Sequence, residues 1–131
     1  MNNFPVFVFD VDGTLTSERF ENDQVRELKA NPSILNLALA LQENGLEFVI
    51  VTARPEYLRE DTEYWIAEHG LKPSFVLMRQ EGDRRSDPVV RANQLKLVRD
   101  EYGPHVLLFD DKIENCKAVK SMGIPCIHVK Q

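Results

Sequence analysis

Val6-Phe7-Val8-Phe9-Asp10-Val11-Asp12-Gly13-Thr14-Leu15-Thr16 is the stretch from which the rest of the chain can be read. Its first four residues are β-branched and aromatic, the composition of a strand buried on both faces. The apolar run then stops at two carboxylates separated by one residue. Strand residues two apart point the same way, so Asp10 and Asp12 leave the strand on one side. Gly13 follows and permits a sharp turn. Two carboxylates this close repel, and one takes up a proton unless a cation sits between them. A hard divalent cation with oxygen ligands, such as Mg²⁺, resolves that conflict. A solvated acidic turn would need no cation, and a lone D-x-D would favour it; the full string after a buried strand favours a site.

Working outward, four further short apolar runs read as strands: Glu47 to Val51, Ser74 to Met78, Val106 to Phe109 and Cys126 to Val129. Helical patterns lie between them. Asn31-Pro32-Ser33 opens one that runs to Gly45, with Ile34, Leu35, Leu37, Ala38 and Leu41 on its apolar face. Pro55 opens a second, ending at His69-Gly70. Asp87-Pro88 caps and opens a third, ending at Gly103-Pro104. A fourth follows Asp111 and stops near Gly123. Strands alternating with helices predict an α/β fold, a Rossmann-like three-layer sandwich with a parallel sheet of about five strands. In such sheets a site lies outside the carboxyl ends of the strands, where the polar residues of interest fall.

The bulk numbers agree with one globular domain over residues 1–131. Hydrophobic residues make up 43% and charged residues 28%, which separates the chain from disordered sequences. A net charge of −5 argues against sequence-blind nucleic-acid binding, which needs a large basic surface, though not against a local basic mouth. The two cysteines, Cys116 and Cys126, have no metal spacing and read as small buried hydrophobes in a reducing compartment. No run approaches the ~20 apolar residues of a membrane helix, and Met1 to Phe9 has no secretory pattern. A cytoplasmic protein without membrane contact is expected.

Phe9-Asp10-Val11-Asp12-Gly13-Thr14-Leu15-Thr16 resembles the first signature of the haloacid dehalogenase superfamily of phosphohydrolases. The resemblance implies that Asp10 is a nucleophile and Asp12 a general acid/base. The second strand ends in Val51-Thr52-Ala53-Arg54, where the family places a Ser or Thr that hydrogen-bonds the transferring phosphoryl group; Thr52 matches. Arg54, as a planar fork, is suited to phosphate oxygens. Thr52 could equally cap the helix ahead of Pro55. Asp110 and Asp111, followed by Asn115, match the acidic pair that completes a magnesium shell; on their own they would also serve as helix N-cap carboxylates. The family's remaining signature is a Lys, less often an Arg, near the start of the helix before the fourth strand. Arg91, one turn after Asp87, is the preferred candidate, and Lys96 the other. An Arg there keeps its charge but differs in shape from the usual Lys.

The gaps from Asp12 to Thr52 and from Thr52 to Arg91 leave no room for a large cap domain. Only about residues 16–30 are free to form a flap, so an open site is expected, suited to a polymer end or a protein side chain. The run Arg79-Gln80-Glu81-Gly82-Asp83-Arg84-Arg85-Ser86-Asp87-Pro88-Val89-Val90-Arg91 resembles the phosphatase domain of the bacteriophage-type polynucleotide kinase 3′-phosphatase family. That resemblance spans Phe9 to Val129. It implies removal of 3′-phosphates from nucleic-acid ends, with Thr52, Ala53, Arg54, Asp87 and, more loosely, Arg19 as substrate contacts. Arg79, Arg84, Arg85 and Arg91 could hold backbone phosphates, or be balanced by the interleaved Glu81, Asp83 and Asp87. A kinase P-loop string does not occur, so a separate kinase or ligase partner is conceivable.

The implied chemistry has two steps. Asp10 attacks phosphorus to give an aspartyl-phosphate, while Mg²⁺ is held by Asp10, Asp110 or Asp111 and the backbone carbonyl of Asp12. Asp12 moves the protons, with Thr52 and Arg91 on the phosphoryl oxygens. Two other readings compete: a phosphatase for a phosphoprotein or a small phosphate ester, and a receiver-like module that keeps its phosphate. Trp65 reads as core. His69, His105 and His128 are scattered and receive no chemistry. Tyr57, Tyr64 and Tyr102 could stack on bases, with helix packing the default.

Overall fold

The five apolar runs are the five strands of one sheet. The computed structural model describes residues 4–19 and 21–130. Its elements are β1 (Val6–Asp10), α1 (Pro32–Glu43), β2 (Phe48–Pro55), α2 (Arg59–Glu68), β3 (Val76–Arg79), α3 (Asp87–Tyr102), β4 (Val106–Asp110), α4 (Ile113–Lys120) and β5 (Cys126–His128). Every strand pair is parallel and the order is β3-β2-β1-β4-β5. This is the three-layer α/β architecture expected, and no cap domain occurs among the described residues.

Period-two alternation sorts the strand residues into two cores. Val8, Val49, Val51 and Leu108 pack on one face with Leu95 and Val98 of α3 and Val119 of α4. Phe9, Phe48, Ile50 and Phe109 pack on the other with Ala38 of α1 and Trp65 and Ile66 of α2. Phe9 stacks on Phe109 at 4.8 Å and meets Phe48 edge-on at 5.9 Å, contacts each adding about 0.5–1.5 kcal/mol beyond area burial. Trp65 is fully buried, as its spacing suggested, and its indole N–H donates to the Leu28 carbonyl at 2.7 Å.

Three local expectations are corrected. β2 runs to Pro55 rather than Val51, with its pairing to β3 shifting between those two residues. Thr52 is therefore inside a strand and caps no helix; a 3₁₀ turn at Glu56–Leu58 precedes α2. The N-cap of α3 is Ser86, and the Asp87 side chain is engaged by cations instead. Cys116 of α4 and Cys126 of β5 are buried as expected, but they are joined as a disulfide with Cα atoms 5.3 Å apart. The chain reversal after α4 sets these two residues side by side, which their spacing alone did not reveal.

The segment read as a flap is closed at its base by an isolated antiparallel bridge between Thr16 and Ala30, outside the sheet. Within it Phe20 lies outside the described residues, as do 1–3 and 131. Val25 anchors the segment by packing with Leu58 and Met78, and Arg26 reaches Asp61 at 2.6 Å and lies 4.2 Å over the Tyr64 ring.

Candidate active site

Strand parity decides which carboxylates meet. Asp10 lies two residues after Val8, and Asp110 two after Leu108, so both share the face packed by α3 and α4. Arg91, in the first turns of α3, points into the gap between them. Its Nη2 donates to Asp10 Oδ1 at 2.6 Å, and its Nε lies 2.9 Å from Asp110 Oδ2 as an ion pair without hydrogen-bond alignment. Gln94, one turn on, accepts from Arg91 Nη1 at 3.0 Å and donates to the Thr52 carbonyl at 2.8 Å. Lys96 is on the exposed side of α3, paired with Asp100 at 3.4 Å. Of the two cations proposed for this position, Arg91 is the one that reaches Asp10 and Asp110.

The turn after β1 is built by its own hydroxyls. Thr14 donates to Asp10 Oδ2 at 3.1 Å, and the Gly13 N–H donates to Thr16 Oγ1 at 3.0 Å. Gly13 has φ +82°, and a Cβ there would lie 2.2 Å from Asp111 Oδ2, so close approach of two chain segments demands glycine as well as the turn. Asp12 then projects toward Arg54, which donates from Nε to Oδ2 at 2.9 Å and from Nη2 to Oδ1 at 2.6 Å. Arg54 is fully buried, and its third nitrogen donates to Thr62 of α2.

Asp10, Asp110 and Asp111 each offer a carboxylate oxygen within 4.8 Å of the others. Asp111 Oδ2 accepts from Arg19 Nε and Nη2 at 2.9 and 2.8 Å, while its buried Oδ1 accepts no hydrogen bond among the described residues. Burial pushes the Asp10 carboxyl up; Arg91 pulls it down, and Asp110 and Asp111 push it up again, leaving it well above the usual carboxylate range. An unsatisfied buried oxygen and a carboxylate disfavoured as an anion both fit a hard cation with oxygen ligands, the donor set Mg²⁺ takes. The Asp12 carboxylate is outside this cluster because Arg54 holds it.

Asp10, Asp12, Arg19, Ala53, Arg54, Asp87, Arg91 and Asp111 line one pocket of about 170 Å³. Thr52 does not line it. It is fully buried, shares the parity of Phe48 and Ile50, and accepts the Arg54 N–H at 3.0 Å. Asp87 is held between Lys112 and Arg79, the latter at 2.6 Å. Burial pushes its carboxyl up, but Lys112, Arg79 and Arg91 together bring it below its ordinary value.

Sequence reasoning gave no role to four side chains near the pocket. Lys112 lines it, and its only signal was adjacency to Asp110-Asp111. Asn115 also lines it and donates to both oxygens of Asp110, at 3.2 and 3.1 Å. Gln94 was legible only as the residue one helical turn after Arg91. His128, read as remote from the signatures, pairs in register with Asp110 and has its Nε2 2.9 Å from the Asp111 carbonyl.

Residues 5–131 match the model of the polynucleotide kinase PNKP phosphatase domain family. No curated protein matches the chain. A solved Pnkp1/Rnl/Hen1 complex contains a chain that superposes with TM-score 0.83 at 21% identity, over 99% of this chain and 47% of that one. A structure of the Pnkp1/Rnl/Hen1 RNA repair complex gives 0.81 at 22%, over 99% and 44%. This chain thus spans about half the length of those relatives. The D,D-heptose bisphosphate phosphatase of B. bronchiseptica, complexed with magnesium and phosphate, gives 0.70 at 14%, over 94% and 79%. These likenesses show a common fold, and the family match is what assigns the chain. With nearly its whole length covered by that model, the chain belongs to the PNKP phosphatase-domain family, within the haloacid dehalogenase group of phosphatases.

Proposed function

We propose that this chain is a Mg²⁺-dependent phosphomonoesterase that removes 3′-phosphates from nucleic-acid ends through an aspartyl-phosphate on Asp10. The observation that carries the chemistry is the convergence of Asp10, Asp110 and Asp111 on one point, with Arg91 bridging Asp10 and Asp110. When bound by Asp10, Asp110, Asp111 and the Asp12 backbone carbonyl, Mg²⁺ supplies charge neutralisation at the phosphoryl oxygens. Arg91 and Thr14 hold the Asp10 carboxylate so that an oxygen faces the pocket. That oxygen attacks phosphorus in line, and the ester P–O bond breaks. Asp12 gives a proton to the departing alcohol. It then takes one from the water that cleaves the Asp10–phosphorus linkage. Ala53, Asp87 and Arg19, which line the pocket, are assigned to substrate contacts, and Arg54 to holding Asp12; Thr52, buried outside the pocket, is assigned no contact with substrate.

Support for a nucleic-acid end comes from the family match, from the RNA repair complex among the relatives, and from a pocket with no cap domain over it among the described residues. The same relatives support a separate kinase or ligase partner. Residues 1–131 are taken as one phosphatase domain, residues 16–30 as its flap, and the cytoplasm as its location; no helix among the described residues is long and apolar enough to cross a membrane. The test is phosphate release from a 3′-phosphorylated oligonucleotide, a 5′-phosphorylated control and an aryl phosphate, each with Mg²⁺ and with chelator. Metal-dependent release favouring the 3′-phosphate is expected. Release from the aryl phosphate alone would remove the nucleic-acid assignment, and an aspartyl-phosphate that forms without release would mark a phosphoacceptor module.

A further inference from the structure

A second concavity, of about 570 Å³, opens beside the pocket and is lined by Pro55, Tyr57, Arg79, Glu81, Gly82 and Arg84, among others. Arg79 is the wall between the two. Its Nε donates to the Ala53 carbonyl at 3.1 Å and its Nη2 to Asp87 at 2.6 Å, and both of those residues line the pocket. The groove therefore adjoins the site across Arg79.

Three of the four arginines in the basic cluster are spoken for. Arg79 is tied to Asp87 and to the carbonyls of Ala53, Asp83 and Arg85; Arg85 is paired with Asp83 at 2.8 Å; Arg91 is buried between Asp10 and Asp110. Arg84 is exposed and makes no ion pair among the described residues. Tyr57, which lines the same groove, is 72% exposed. The next residue, Leu58, is buried against Val25 and Met78, so the turn is pinned and the ring is forced outward. The Tyr57 hydroxyl donates to Asp23 of the flap at 3.2 Å, which fixes the ring from its far end. Glu56, also in the groove, is neutralised by Arg59 at 2.7 Å. Glu81 keeps a negative charge there, so the groove is no general phosphate trap; a held aromatic face with one unpaired guanidinium suits a base followed by a single phosphate.

We infer that Tyr57 stacks the base of the nucleoside bearing the 3′-phosphate, and that Arg84 holds the phosphate on that nucleoside's 5′ side. This subsite rests on the 3′-phosphatase reading. It is tested on the full chain with two 3′-phosphorylated oligonucleotides, one intact and one with an abasic sugar at the 3′ end, beside nucleoside 3′-monophosphate and an aryl phosphate.

Tyr57→Ala is expected to lower kcat/KM about tenfold more on the intact end than on the abasic end, the size of one base–aromatic stack. Tyr57→Phe keeps the ring and is expected to restore most of the difference. Arg84→Ala is expected to weaken the oligonucleotide more than the nucleoside 3′-monophosphate, and to flatten the salt dependence by about one phosphate contact. If intact and abasic ends respond equally to Tyr57→Ala, the subsite is overturned while the 3′-phosphatase reading stands. If wild type releases phosphate from the aryl ester alone, that reading fails and the subsite falls with it.

Discussion

Arg54 grips Asp12 through two parallel hydrogen bonds, Nε to Oδ2 at 2.9 Å and Nη2 to Oδ1 at 2.6 Å, while being fully buried itself. The guanidinium plane thereby fixes both the position and the rotation of the carboxylate assigned to proton transfer. A lysine could keep the charge but not the fork. Arg54→Lys is expected to lower kcat by about 10²-fold, within the range of general acid–base catalysis, with KM shifted far less. Steady-state kinetics on an aryl phosphate check this. Equal losses in kcat and in 1/KM would instead assign Arg54 to binding.

The Gly13–Asp111 approach gives a second prediction. Gly13→Ala would add backbone strain at φ +82° and drive a methyl into a carboxylate that Arg19 holds. The strain costs about 1 kcal/mol or more. Displacing Asp111 should cost activity beyond that, by weakening the cation site. The expected result is a modest fall in Tm with a disproportionate rise in the Mg²⁺ concentration needed for half-maximal turnover, read from a metal titration. A variant with unchanged metal dependence would exclude Asp111 from the cation shell.

Metal linkage supplies a third. A cation that binds the folded chain alone stabilises it by about 2.7 kcal/mol at a concentration one hundred times its Kd. Three close carboxylates, one with an unsatisfied buried oxygen, should make that gain visible. Calorimetry is expected to show Tm rising with Mg²⁺ in wild type and rising much less in Asp111→Asn, with turnover reduced in parallel. No Mg²⁺-dependent shift in wild type would argue against the site.

Fold and site were legible in the sequence to different depths. Strand ends were readable because Val8 and Phe9, or Leu108 and Phe109, must be apolar toward opposite faces, and the polarity breaks at Asp10 and Asp110. The cation position was narrowed to Arg91 and Lys96 by helix spacing, and their environments differ as a buried and an exposed face of α3 do. Thr52 was misplaced because β2 continues past the last apolar residue, through an irregular stretch that hydropathy does not mark. Lys112, His128 and the Cys116–Cys126 bridge depend on which strands are neighbours, information absent from local pattern. Tyr57 looked like packing because nothing in Glu56-Tyr57-Leu58 tells which side chain goes inward.

The Asp83–Arg85 pair gives a pH prediction away from the cation site. Arg85 donates to the Asp83 carboxylate from its side chain and its backbone N–H, and the carboxyl is drawn down to about 2. A carboxylate depressed by folding stabilises the fold above its unfolded value of about 3.9, and that contribution is lost as pH falls through about 2. A carboxyl NMR titration should place Asp83 near 2 in wild type and move it toward 3.9 in Arg85→Ala. An ordinary midpoint in wild type would mean that this pair does not order the 80–86 loop.

Arg91 joins the candidate site to the packed face of α3. It is buried with Asp10 and Asp110 on two sides and Gln94 on the third. Removing it leaves two buried carboxylates without their cation, a change that typically costs about 3–5 kcal/mol. Arg91→Ala is therefore expected to lose turnover by more than about 10²-fold and to lower Tm in the absence of Mg²⁺. Arg91→Lys keeps the charge near Asp10 and Asp110 but gives up the fan of nitrogens that also reaches Gln94. It should retain activity within about tenfold, because a lysine can hold a phosphoryl oxygen and a carboxylate as a point charge. Parallel measurement of kcat and of Tm with and without Mg²⁺ separates the two roles: Arg91→Lys equal to Arg91→Ala in kcat but stable would show that the planar geometry, rather than the charge, is what turnover requires.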